Sequence, residues 1–170
     1  MSSIIVAGDT SGSVTLQAPA VAGSTVLTLP AVSGTVMVNG PAFSAVKNAT
    51  QSITTNTFTK VTFQTEEFDT NSNFASSTFT PTVAGYYQVQ FAIAPDTTTT
   101  NTQASIYKNG TGYKKVFISA NSAVVEVTAL IYCNGTTDYI EAYTFFVGIS
   151  PVIASGTDIT FFQASMVRSA

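Results

Sequence analysis

The sequence predicts an all-β protein: an antiparallel β-sandwich knob preceded by a short β-rich N-terminal arm. Three observations carry that reading. Charged residues make up only 9% of the 170 positions and hydrophobic ones 45%, with Thr, Ser and Asn dense throughout; β-branched and aromatic side chains of this kind pack well on a pleated surface. Apolar residues alternate at a period of two in several runs, and no 3.6-residue apolar period lasts ten residues. Gly, Pro and Asn-Gly turn signals separate the runs. Low net charge with many apolar residues excludes a disordered chain, and the length suits one domain plus an appendage.

Residues 1–40 form the predicted arm. They hold no aromatic residue and one charged residue, Asp9. The stretch Thr15-Leu16-Gln17-Ala18-Pro19-Ala20-Val21-Ala22-Gly23 aligns with Val26-Leu27-Thr28-Leu29-Pro30-Ala31-Val32-Ser33-Gly34 at a period of eleven, and a truncated third strand follows at Thr35-Val36-Met37-Val38. Two or three short strands cannot satisfy their own edges or bury both faces. The arm is therefore expected to wind with copies of itself or to dock on another protein through Leu16, Pro19, Leu27, Leu29, Pro30 and Val36. Its start lacks a basic leader and has only four consecutive apolar residues, Ile4 to Ala7, so no secretory signal is expected. No run reaches the ~20 apolar residues of a membrane span. The expectation is synthesis in a cytoplasm without a signal peptide.

The predicted knob spans residues 41–170. Ala42 to Val46 opens it as a strand, and Phe58 to Phe68 alternates in part. Tyr86 to Ala94 alternates strictly, placing Tyr87, Val89, Phe91 and Ile93 on one face. Asp96 to Thr102 reads as a polar connector, too hydrophilic for the core. Ala104 to Lys108 and Tyr113 to Ser119 flank the hairpin turn Asn109-Gly110-Thr111-Gly112. Val124 to Tyr132 leads through Asn134-Gly135 into Tyr139 to Val147, and Ile159 to Val167 closes the chain.

Several chemistries lack their residues. There is no histidine, which removes His-based acid–base work and most transition-metal sites. Cys133 is the single cysteine; in its apolar run it reads as a small buried hydrophobe. Glu66, Glu67, Asp69, Asp138 and Glu141 are the grouped carboxylates. Glu66 and Glu67 adjoin on a strand and point to opposite faces, unlike the paired acids of a glycosidase. No catalytic residue and no cofactor is expected. Calcium on Asp69 and Asp138 is the one metal option, although no dense acidic loop accompanies them. The six cations are Lys47, Lys60, Lys108, Lys114, Lys115 and Arg168 in a chain of net charge -3, too few and scattered for nucleic-acid binding. Tyr86, Tyr113, Tyr139 and Tyr143 admit a sugar-binding platform or half-buried packing.

Residues 63–91 carry a spaced pattern: Phe63, Asp69, Phe74, Phe79, Gly85, Tyr87, then Val89 and Phe91. It resembles the signature of the complement C-one-q globular head, a branch of the tumour-necrosis-factor-like jelly rolls. Ala42-Phe43-Ser44-Ala45, Tyr107-Lys108-Asn109-Gly110 and Thr160-Phe161-Phe162 fall in matching order, so the likeness covers about residues 42–167. Phe74 and Phe79 stand two residues closer than in that signature, Val89 replaces an aromatic, and Phe162-Gln163-Ala164 lacks the usual Phe-x-Gly. The resemblance implies an antiparallel jelly-roll sandwich of two packed sheets with about eight to ten strands. It also implies a homotrimer whose apolar flank is buried around a threefold axis. The arm's Thr-Leu-x-x-Pro-Ala-Val-x-Gly repeats resemble those of bacteriophage tail-fibre and head-decoration proteins. These likenesses imply a non-catalytic virion-surface protein, a head decoration or cement knob seated on a major capsid protein by its arm. The alternative is the receptor-binding tip of a tail or head fibre, recognising a host surface glycan or protein.

Overall fold

A computed structural model describes residues 3–7, 10–17, 21, 23–24, 40–119 and 123–170. The chain divides into two compact units, Met1–Gly34 and Thr35–Ala170. In the first, β1 (Ser3–Ala7) and β2 (Ser13–Gln17) pair antiparallel, with Ile4 opposite Leu16 and Val6 opposite Val14. Sequence reading passed over β1, because four apolar residues with no alternation carry no period. Ile4, Ile5, Val6, Val14 and Leu16 are each 56–66% exposed. Pro19, Leu27, Leu29, Pro30 and Val36, with the second repeat unit, lie outside the described residues.

The second unit holds thirteen strands among its described residues, and no helix. They are β3 (Ala42–Lys47), β4 (Gln51–Ser52), β5 (Thr59–Lys60), β6 (Thr65–Asp69), β7 (Phe74–Ala75), β8 (Thr78–Phe79), β9 (Gly85–Ile93), β10 (Thr99–Lys108), β11 (Thr111–Ile118), β12 (Val125–Cys133), β13 (Ile140–Gly148), β14 (Val152–Ile153) and β15 (Gly156–Ser169). One sheet runs β12-β9-β15-β3-β6; the other runs β11-β10-β13-β8-β7, with β5 also on β13. A small β14-β4 ladder lies outside both, and every pairing is antiparallel. Eleven strands in the two sheets exceed the expected eight to ten, because the chain between β3 and β9 adds three two-residue strands, β5, β7 and β8, to one sheet.

Alternation produces the inner faces. Tyr87, Val89, Phe91 and Ile93 of β9 are fully buried, as are Ile131 and Cys133 of β12 and Ile140, Ala142 and Phe146 of β13. Asn109 and Gly110 both take positive φ, 52° and 74°, the mirror-image turn whose twist matches its flanking strands. Asn134-Gly135 acts differently. β12 pairs with β9, whereas β13 pairs with β10, so this connection crosses from one sheet to the other. There the Asn134 Oδ1 accepts from the backbone N–H groups of Thr136, Thr137 and Asp138 at 2.9–3.0 Å.

Two expectations need correction. The run from Phe58 to Phe68 is not one strand: β5 and β6 are separated by irregular backbone, and Phe58 and Phe68 are 40% and 51% exposed. In β6 the register jumps from Ser44–Phe68 to Ala45–Glu66, a bulge that takes up Glu67. The polar stretch from Asp96 to Thr102 is not all connector. β10 starts at Thr99, and Thr99 and Thr102 are fully buried, their hydroxyls 2.9 Å apart. Threonine can line a core when its β-branched body packs and its hydroxyl finds a partner.

Candidate functional site

The aromatic signature residues converge on one spot between the sheets. Phe43 stands at its centre, with ring centroids 4.5 Å from Phe74, 4.6 Å from Phe79 and 5.0 Å from Phe162. Phe63 meets Phe162 at 5.7 Å and Phe91 at 6.3 Å, and Phe79 meets Tyr87 at 5.6 Å. The Tyr87 hydroxyl donates to the Val83 carbonyl at 2.7 Å, and burial raises its pKa to about 12. Asp69 caps the adjoining loop, its Oδ2 accepting from the Phe74 N–H at 2.7 Å. Gly85 lets β9 and β15 approach closely: a Cβ there would stand 2.5 Å from the Arg168 carbonyl oxygen of β15. Together these residues make a core. In the sequence Phe43 is one landmark of the resemblance, and the strand pattern alone does not reveal its central place.

The carboxylates are dispersed into separate ties. Glu141 pairs with Lys60 at 2.7 Å, and Glu67 accepts from the Ser44 hydroxyl at 2.7 Å. Asp138 accepts from the Asn109 amide at 2.7 Å and the Asn134 N–H at 2.9 Å, and pairs with Lys108 at 3.0 Å. The Asn109 hydrogen bond foremost, helped by Lys108 and Asn134 and opposed by burial, holds its pKa below the usual range. Asp69 and Asp138 therefore serve different loops. Among the described residues no group of three or more acidic, His or Cys side chains could hold a metal ion. Burial lifts the Cys133 thiol to about 11, so little thiolate exists near neutral pH.

The tyrosines separate onto two surfaces. Tyr86 meets Tyr132 at 5.5 Å on the outward face of the five-stranded sheet. Leu130, Val167 and Phe68 are exposed on the same sheet. A polar row crosses that face: Gln90 donates to Glu126 at 2.6 Å and Gln163 to Gln90 at 2.5 Å. On the other sheet Tyr107 stacks on Tyr143 at 4.0 Å, and Phe58 lies 6.1 Å from Tyr107 and 5.1 Å from Phe145. Beside this row lies a recess of about 250 Å³, lined by Phe58, Ser105, Tyr107, Tyr113, Lys114 and Lys115 among others. Sequence reading proposed Tyr113 and Tyr143 together with Tyr86 and Tyr139. It missed Phe58, Tyr107 and Ser105, which only the sheet register brings beside them.

No family profile matches the sequence, and no curated protein does. Solved structures match by shape. The globular domain of zebrafish complement 1qA protein has a TM-score of 0.61 at 19% identity, over 78% of this chain and 100% of that one. Murine APRIL at pH 5.0 gives 0.61 at 10% identity, over 76% and 100%. Eiger TNF from S. frugiperda gives 0.57 at 8%, over 77% and 94%. The chain thus has the all-β jelly-roll fold of the tumour-necrosis-factor-like and complement C-one-q-like globular domains.

Proposed function

We propose that this chain is a non-catalytic structural protein of a bacteriophage particle: a homotrimeric head-decoration knob anchored on the capsid through residues 1–40. The observation that carries the reading is the β1–β2 ribbon. Its apolar side chains are exposed on both faces, and an isolated two-stranded ribbon is marginal in water. Such a ribbon gains stability by adding to a sheet edge or groove of another protein. Three arms from one trimer bind a shell with avidity. The five-residue strands β1 and β2, at ~3.3 Å per residue, reach under about 20 Å, a length that suits a foot planted on a shell. The outward face of the five-stranded sheet, with Tyr86, Leu130, Tyr132 and Val167 exposed, supports self-association. The scattered carboxylates and buried thiol support the absence of catalysis.

Two measurements test this. Light scattering is expected to give about three times the 17.7 kDa chain mass; a stable monomer at micromolar concentration refutes the trimer. Removing residues 1–40 is expected to leave a folded trimer that no longer sediments with particles. Normal decoration by that truncated protein would overturn the anchoring role. The fibre-tip reading, with a host surface glycan or protein as partner, draws on the aromatic recess.

A further inference from the structure

The recess beside Tyr107 combines four features. Opposite Tyr107 the β10–β11 register places Gly112, at a bulge between Ile106 and Tyr107. With no side chain, Gly112 leaves the ring uncovered on that flank. Ser105, which forms part of the lining, is 2% exposed, and its Oγ has no hydrogen-bond partner. Buried hydroxyls are ordinarily paired, so an unpaired one bordering a cavity asks for an outside partner. Lys114 and Lys115 also line the recess. They are two of only six cations in a chain of net charge -3. The Lys114 ammonium lies 5.4 Å over the Tyr113 ring, whereas Lys115 makes no ion pair or hydrogen bond among the described residues. No carboxylate lines the recess.

We propose that this recess binds an acidic saccharide, with a sugar ring against Tyr107 and its carboxylate toward Lys115. The apolar C–H face of a pyranose packs on an aromatic face while its rim hydroxyls seek polar partners, here the Ser105 Oγ. The size favours this class, since about 250 Å³ is smaller than most drug-sized pockets and suits one or two rings. A nucleic acid would need a longer cationic track, and a neutral sugar would leave Lys115 without a counter-charge. The recess lies on the sheet opposite the face proposed for self-association, so trimer formation leaves it open. The inference holds for a shell-bound knob and for a fibre tip alike.

The test is calorimetric titration of the full chain with tetragalacturonate and a hyaluronan tetrasaccharide, with maltotetraose as the neutral comparison. Tyrosine emission gives a second readout, because the chain has no tryptophan. An acidic probe is expected to bind at millimolar concentration or tighter and about tenfold more tightly than maltotetraose. Lys115→Gln, on an exposed strand, is expected to weaken binding about fivefold, and Tyr107→Leu about tenfold or more, with melting temperature checked for both. Absence of acidic-probe binding at ~5 mM, equal binding of maltotetraose, or unchanged affinity in either variant overturns the proposal. Scattering on the same samples reads self-association separately, so failure of this site and failure of the trimer are distinguishable.

Discussion

Phe43→Ala is expected to destabilise the knob by about 4 kcal/mol, at the upper end of what a single core truncation does. Phe43 comes from β3 of the five-stranded sheet. Its ring touches Phe162 of the same sheet at 5.0 Å, and Phe74 and Phe79 of the opposite sheet at 4.5 and 4.6 Å. It is fully buried, so truncation removes the transfer energy of the ring and opens a cavity where the two sheets meet. Neighbouring rings cannot collapse into that space without giving up their own edge and stacking geometry. Phe68→Ala is the control: its ring is half exposed on the edge strand β6, and under about 1 kcal/mol is expected. Guanidinium unfolding at fixed protein concentration measures both, the concentration being held because association shifts apparent stability. A midpoint for Phe43→Ala within 1 kcal/mol of the parent would show that the cluster does not hold the sheets together.

The parts of the fold legible in the sequence were those governed by local periodicity. β9 is buried on one side, while Tyr86 and Gln88 on the other are exposed, so its alternation stands out and its inward row is correct residue by residue. The Asn109-Gly110 turn announces itself because few other residues tolerate positive φ at both positions. The signature aromatics were legible as a spaced pattern, and the structure brings them into one cluster around Phe43. Elements whose burial depends on distant partners were not legible. Thr99 and Thr102 look like loop residues until each supplies the other's hydrogen bond. Phe58 to Phe68 alternates in part like a single strand, yet the run breaks between β5 and β6 and bulges at Glu67. Asn134-Gly135 has the composition of a hairpin, yet long-range pairing sends its two strands to different sheets. The recess needs both kinds of pairing: the local β10–β11 hairpin sets Gly112 opposite Tyr107 and Lys115 opposite Ser105, but only the long-range β10–β13 register brings Tyr143 beside them.

Lys47→Met is expected to be at least as stable as the parent at pH 7, and its advantage is expected to shrink as pH rises from 8 to 10.5. Lys47 continues the core-facing row of Phe43 and Ala45 along β3 and is fully buried. Its ammonium has only neutral partners: Gln51 Oε1 at 3.1 Å, the Thr62 carbonyl at 2.7 Å and Thr62 Oγ1 at 3.3 Å. With no carboxylate to repay its lost hydration, burial lowers its pKa from 10.5 to about 8. Below pH 8 the lysine is charged in both folded and unfolded chains, and the folded state bears the whole desolvation cost. Between 8 and 10.5 the unfolded chain binds the proton that the folded chain releases, so stability rises with pH. The full change is about 3 kcal/mol. Methionine keeps the apolar stem, and the oxygens retain other donors: Gln51 Oε1 the Thr62 N–H at 3.0 Å, and the Thr62 carbonyl the Gln64 amide at 3.2 Å. Cys133, raised from 9.0 to about 11, and Tyr87, raised from 10.0 to about 12, act in the opposite direction. Each loses its proton in the unfolded chain first, so each lowers stability as pH climbs. Those contributions are common to parent and variant and cancel in the difference between them. Urea midpoints for both proteins at half-unit steps from pH 7 to 10.5 isolate the lysine, and a difference that stays flat across that range would refute its buried titration.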